Sequence, residues 1–450
     1  MPPRRAPLRL LLAALLALPC AAALGAEERV GERLFLVRDQ PGTRTHFQMI
    51  VLAGCLDEAY GQCRGLAHYL EHLVLVGRNP EHTDIAVRFF PDSYANGWTS
   101  QRGTRYVHIM PAREGGPRAD LEKLFAFYAA RLKDFSISAE DAVRERNVVL
   151  QEHDWRVASK PFERFQRTLD RELLPDHPSG QWTVGTREDI EAFTINDAKA
   201  FLRAWYAPNN VYFAVKGDVD PVMLKEIADR ALAGIPARPL PPRAFAMRPN
   251  IDNERIEVRE QDTAVKRAGL YFKKLVRMEE SDLAAHWAAR TITVNFLGSR
   301  LPGSLHDAVV DNGRLAAAAP NIALNRVAPN SFVLTIGADV APDVPPEKLL
   351  AAISDYVGRL GDNGISPETV ERLKKRFADA RANADRHPQQ VYDRLIEWLA
   401  EVRPYEDLAA VPQRIAAVTP DAVAAIARGI SGPGRVVTGI LTPASPEAAQ

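Results

Sequence analysis

One ten-residue stretch, Gly65 to Val74, gathers the residue types that do chemistry: Gly-Leu-Ala-His-Tyr-Leu-Glu-His-Leu-Val. Leu66, Leu70 and Leu73 recur at helical spacing, and no Gly or Pro interrupts the run after Gly65. Residues four apart lie on one helix face. His68 and His72 therefore stand side by side, able to hold one metal ion. Glu71, three residues after His68, aims its carboxylate at the same place. Two imidazoles and a carboxylate suit zinc, which takes nitrogen and oxygen ligands and keeps an open position at catalytic sites. Zinc lowers the pKa of its bound water toward neutrality, and a nearby carboxylate can take the proton. The order H-x-x-E-H, with the Glu directly before the second His, inverts the more familiar H-E-x-x-H. A helix with two exposed imidazoles that bind nothing would carry the same residues, so the rest of the chain has to decide.

The elements around this stretch set its frame. Leu34–Val37 and Phe47–Leu52 are short apolar runs that read as strands, separated by a turn-rich Asp39-Gln40-Pro41-Gly42. A loop from Cys55 to Gly65 leads into the histidine helix. Thr83–Phe90 reads as a short helix. Asn96–Thr99 and Thr104–Ile109 read as paired strands with Gln101-Arg102-Gly103 at the turn. Amphipathic helices follow over Asp120–Lys133 and over Ser138 to about Ser159, the second opening like a capping box. It carries Glu145 and Glu152 seven residues apart, on one face. Further helices are expected over Pro161–Leu174, Thr194–Trp205 and Pro221–Ala233, with a strand at Asn210–Gly217.

Five prolines between Pro236 and Pro249 mark a semi-rigid linker at 236–255, separating a first domain over 27–235 from a second over 256–443. After it the order of elements begins again. Strands are expected at Ile256–Arg259, Ala268–Phe272 and Ser331–Ala338, and helices at Ser281–Leu297, Pro345–Leu360 and Pro367–Arg386. The second half lacks the histidine motif.

Length and composition bound the class. The chain has 450 residues, 46% hydrophobic and 25% charged, with a formal net charge of zero. That is a globular composition with no basic field for nucleic acid. Arg4, Arg5 and Arg9 precede an apolar run from Leu10 to Leu18, and small residues follow from Ala21 to Ala26. This is the pattern of a secretory signal peptide over 1–26. The apolar run is too short for a membrane span, and no later stretch is long and apolar enough for one. Without 1–26 the chain would carry 54 basic and 57 acidic side chains. Its Ala- and Arg-rich composition looks bacterial, which places the exported protein in the periplasm. In an oxidising compartment Cys55 and Cys63 form a disulfide or stay as two buried thiols.

Several separate segments, in order, resemble the pitrilysin-type metallopeptidases, the inverzincins, with a nearer likeness to the short branch that includes mitochondrial processing peptidase. Gly65–His72 fits the family's metal motif without a gap. Asn96-Gly97-Trp98-Thr99 resembles its N-A-x-T edge strand, and Glu145–Glu152 its E-R-x-x-V-x-x-E helix. Tyr206–Asn210 and Val215–Val219 match its Y-x-P-x-N and V-x-G-D-V segments. The resemblance implies two related α+β domains, each an antiparallel sheet covered by helices. It implies one zinc ion held by His68, His72 and Glu152, Glu71 as general base, and Glu145 as a carboxylate that orients a ligand. By spacing, His153 is an alternative to Glu152, about a quarter-turn away.

The implied activity is zinc endopeptidase action on unstructured peptides that lie along Asn96, Gly97, Trp98 and Thr99 as an added strand. Trp98 would either wall a side-chain pocket or sit in the core. One departure stands out. The family's second domain usually offers an Arg followed seven residues later by a Tyr. Here His306 stands for the Arg, and Gly313, or Ala316 or Ala317, for the Tyr. The expectation is a related partner subunit that supplies the pair as a heterodimer; otherwise Arg300, Arg314 or His306 substitutes within a monomer or homodimer. A non-catalytic peptide-binding scaffold of the same fold is the competing reading.

Overall fold

A computed structural model describes residues 26–58, 62–76, 90–133, 137–243, 247–280, 282–401 and 405–444. The expected signal segment and the expected helix at Thr83–Phe90 lie outside the described residues, apart from Phe90. The strands, in chain order, are β1 Glu27–Gly31, β2 Leu34–Arg38, β3 Thr45–Val51, β4 Tyr94–Thr99, β5 Thr104–Met110, β6 Val211–Gly217, β7 Arg255–Asp262, β8 Gly269–Arg277, β9 Asn321–Ala328, β10 Ser331–Asp339 and β11 Gly434–Pro443. The helices of the first half are α1 Leu66–Val76, α2 Arg118–Lys133, α3 Ala139–Ser159, α4 Pro161–Leu173, α5 Arg187–Ala192, α6 Ile195–Trp205 and α7 Pro221–Leu232. Those of the second are α8 Leu283–Leu297, α9 Pro346–Asn363, α10 Pro367–Ala384, α11 Pro388–Ala400, α12 Tyr405–Ala416 and α13 Pro420–Ser431. None of them is long and apolar enough to cross a membrane.

Two sheets divide the strands on either side of the proline-rich 233–254. The first runs β1-β2-β6-β3-β5-β4, the second β7-β11-β8-β10-β9. Both are mainly antiparallel, as the family resemblance implies, and each carries one parallel pair: β2 with β6 and β7 with β11. The chain-distant strand β6 enters between β2 and β3.

The central strands of each sheet are covered on both faces, which explains their continuous apolar runs. In β2, Leu34 and Leu36 point into a core built with α1, α2 and α6 of the first half. Their alternates Phe35 and Val37 join a core dominated by the second half. There α11 packs on the first sheet, and the Tyr392 hydroxyl donates to the Ala214 carbonyl at 3.1 Å. The exchange is reciprocal. Helix α4 of the first half lays Phe165, Leu169 and Leu173 on the second sheet. Gly439 of β11 permits this, because a Cβ there would lie 2.6 Å from Leu169 Cδ1. Part-buried ion pairs seal the contact: Lys273 with Asp170 and Arg164 with Asp262, each at 2.5 Å. The two halves thus cover one another's sheets.

Candidate metal centre

Helix α1 begins where two chain segments touch. Gly65 has a φ of 95° and Gly185 a φ of 82°. A Cβ at Gly65 would lie 2.0 Å from the Val184 carbonyl, and one at Gly185 would lie 1.8 Å from that of Arg64. Only glycine serves at both positions. The N-terminus of α1 is capped from a distance: buried Glu58 accepts from the amides of Arg64 (2.7 Å) and Ala67 (3.0 Å). Its carboxylate suits the positive end of the helix dipole. Sequence reasoning missed this residue because the cap comes from outside the usual capping window.

Cys55 and Cys63 are joined in a disulfide with Cα atoms 4.6 Å apart, which closes the loop bearing Glu58. Closing a loop with a sequence separation of 8 stabilises by about 2.5 kcal/mol on the chain-entropy account. Replacing both cysteines with Ala should cost about that much in urea denaturation. An unchanged midpoint would show that the bridge adds nothing to this loop.

The helix brings its chemistry into a buried cleft. His68 and Glu71 are 6% and 5% exposed. The two imidazole centroids are 4.9 Å apart at an interplanar angle of 80°. Helix α3 supplies the facing carboxylates. It starts at Ser138, whose side chain accepts from the Asp141 amide, and the Tyr69 hydroxyl ties it to α1 by donating to the Ala142 carbonyl at 2.7 Å. Glu152 Oε2 then lies 3.5 Å from His68 Nε2 and 3.4 Å from His72 Nε2. Glu145 Oε2 lies 3.8 Å behind His72, at Nδ1. His153, one residue beyond Glu152, turns away to stack on Trp182 at 5.0 Å and takes no part.

These residues fit a zinc ion. Four ligands about 2.0–2.1 Å from a tetrahedral ion stand about 3.4 Å from one another. The Glu152–histidine separations match that spacing. The charges agree. Burial works against an imidazolium at His72, yet Glu145 and Glu152 overcome it and raise its pKa to about 9. Burial likewise opposes ionisation of Glu152, but His72, His68 and Arg156 hold its carboxyl down at about 2. The carboxylates call for positive charge where a divalent cation supplies it. His68, deep and beside His72, is held neutral with a pKa of about 3.

Arg156, one turn after Glu152 on α3, pairs with its Oε1. That contact leaves Oε2 facing the imidazoles. Partners of this kind typically change metal affinity 10–100-fold. Arg156→Ala should weaken zinc retention by about that factor in competition with a chelator. Unchanged retention would rule out this role.

Glu71 faces a different wall. Burial lifts its carboxyl to about 7, against the opposing pull of His72 and Thr99. Thr99 Oγ1 donates to Glu71 Oε2 at 2.7 Å, and a Cβ at Gly97 would lie 2.4 Å from Oε1. Glu71 therefore lies against the bare backbone of β4, where the family's Ala would place a methyl group. Strand β4 ends the first sheet and pairs with β5 alone among the described residues. Its side chains alternate, so Ala95, Gly97 and Thr99 face α1 while Tyr94, Asn96 and Trp98 face away. Asn96 is engaged by Tyr94 and by the Gly97 amide. Trp98 is 44% exposed, with the Arg105 guanidinium 5.5 Å over its ring. It is therefore not a core aromatic; it stands on the face of β4 opposite Glu71.

The second-domain substitutes are scattered. His306 is 2% exposed, shut among Leu305 and Val309, with Nε2 3.5 Å from Asp311. Its ring is closed off from solvent in this chain. Gly313 is pinned by the Ala308 carbonyl, 2.3 Å from where its Cβ would be, and Ala316 bridges to Val340. Arg300 and Arg314 are exposed.

Fold and site together define a two-sheet α+β protein with a buried inverted-zincin helix facing a second carboxylate helix. The chain resembles the M16, or pitrilysin-type, peptidases. The family description "Peptidase M16 inactive domain" matches residues 192–377. Zinc protease PqqE of Helicobacter pylori is 25% identical over 329 residues, covering 71% of this chain and 70% of that protein. Protease 3 of Escherichia coli is 24% identical over 87% of this chain, which spans only 42% of its length. A solved protease structure from Helicobacter pylori superposes with a TM-score of 0.73 at 19% identity, covering 93% of this chain and 99% of that one.

Proposed function

We propose that the chain is a zinc-dependent endopeptidase of unstructured peptides. The observation that carries this reading is the placement of Glu152 Oε2 within 3.5 Å of both histidines, with Glu71 buried beside them. A zinc ion held by His68, His72 and Glu152 would supply a Lewis acid and acidify the attacking water. Glu71, with a carboxyl lifted toward neutrality and one oxygen steadied by Thr99, takes a proton from that water and returns it to the leaving amine. Edge strand β4 offers main-chain bonds to an extended peptide, directly beside Glu71.

The competing reading is a peptide-binding scaffold, and the word "inactive" in the family description favours it. The matched stretch, 192–377, contains none of the site residues, which all lie before it. A scaffold also has no use for a buried Glu71. Zinc determination together with a peptide-library digest separates the two: about one zinc per chain with cleavage supports the enzyme, whereas binding without cleavage supports the scaffold.

The arginine-rich, then apolar N-terminus and the Cys55–Cys63 bridge support export to the periplasm. The burial of His306 supports a heterodimer in which a related subunit supplies the Arg–Tyr pair. Losing one oxyanion donor typically costs about 10²–10³ in rate. Adding such a relative should raise peptidase activity by about that factor. Full activity of the isolated chain, lost in Arg300→Ala or Arg314→Ala, would instead assign the task to a local arginine.

A further inference from the structure

The second domain holds a cavity of about 400 Å³, lined by residues of β7, β8, β11 and α9. Its floor is one row across three strands. Val436 of β11 pairs in register with Arg255 of β7 on one side and Lys274 of β8 on the other. Residues in register share a sheet face, so the two cations flank buried Val436 across two strand spacings, about 10 Å. Phe272 completes the apolar floor.

The two cations lack acidic partners. Lys274 is 7% exposed, and its Nζ donates to the Ile430 carbonyl at 2.8 Å, which leaves two donors over. Arg255 has no ion pair among the described residues. The neighbouring carboxylates, Asp252 and Glu254, are both taken by Arg435, whose side chain reaches the Glu172 carbonyl on the α4 side of the sheet. No Asp or Glu lines the cavity. Burial and the nearby Arg255 both disfavour the charge on Lys274 and lower its pKa to about 8. Two like charges facing one cavity repel, and an anion held between them relieves that repulsion. Ser354 and Gly358, one turn apart on α9, line the opposite wall. A Cβ at Gly358 would meet nothing within 4 Å, so the missing side chain keeps the cavity open.

The geometry points to a binding site for a small phosphate-bearing molecule between Lys274 and Arg255. A phosphate dianion satisfies both cations through charge-assisted bonds, and the remaining volume accepts the group it is attached to. This site is separate from the histidine helix and does not rest on the proposed peptidase activity.

Calorimetric titration of the whole chain with inorganic phosphate and with glycerol 3-phosphate, at constant ionic strength against sodium acetate, tests it. The expected result is saturable phosphate binding with a Kd of about 1 mM or tighter. Arg255→Gln and Lys274→Met should each weaken it about tenfold or more, the cost of a lost charge-assisted bond. Lys274→Met could unfold the sheet, but Arg255 is exposed. Gly358→Leu fills the cavity while improving helix propensity, and should block the ester more than the free ion. No saturation with phosphate, an equal response to acetate, or binding unchanged in both Arg255→Gln and Gly358→Leu would overturn the assignment.

Discussion

Glu71→Gln should keep its zinc and its fold and lose peptide hydrolysis. The amide matches the carboxylate in size, so it fits against Gly97, and its oxygen can still accept from Thr99 Oγ1. None of His68, His72 and Glu152 is altered. What disappears is the ability to take a proton. Positioned proton transfer contributes about 10²–10⁴ in rate, and the variant should fall by at least that factor. The measurement pairs zinc content with single-turnover cleavage of a peptide pool. Near-normal turnover would remove Glu71 from the mechanism. Zinc lost along with activity would make it a ligand, a role its proximity to both imidazoles also permits, since ligand atoms of the three residues lie within 4.8 Å of one another.

His68→Ala or His72→Ala should take zinc from about one per chain to near zero. A three-residue ligand set has no spare member, and two remaining ligands do not make a catalytic zinc site. Glu152→Gln belongs with this group and not with Glu71→Gln: the amide is a poorer ligand, so zinc should bind more weakly. His72 also compensates Glu145 and Glu152, and its removal leaves both carboxylates without that partner. Zinc is therefore counted per folded molecule, after circular dichroism and gel filtration. Full occupancy in either histidine variant would place the metal elsewhere.

Much of this was legible before folding, for local reasons. The helical period of Leu66, Leu70 and Leu73 sets His68 and His72 on one face whatever surrounds the helix. Ser138 at the start of α3 and the seven-residue interval from Glu145 to Glu152 likewise depend only on helix geometry. The alternation of β4 is also local, but which of its faces looks toward Glu71 depends on how α1 packs against the strand. The period of two sends Thr99 to Glu71 and Trp98 to the other side.

Other features depend on contacts between segments far apart in the chain. Glu58 caps α1 only because the loop folds back, and Gly65 tolerates only Gly185 beside it. Leu34-Phe35-Leu36-Val37 announces a strand buried on both faces, but the residues themselves do not say what covers the second face. It is α11, from the other half of the chain, while α4 crosses in return. The sequence by itself set His68, Glu71 and His72 together, because periodicity along a single helix brings side chains together, while Glu152 on a second helix followed only from the family resemblance. Only the tertiary structure decided the swapped covering helices, the burial of His306 and the cation row over Val436. Strand order and domain packing set these, and no spacing along the chain records them.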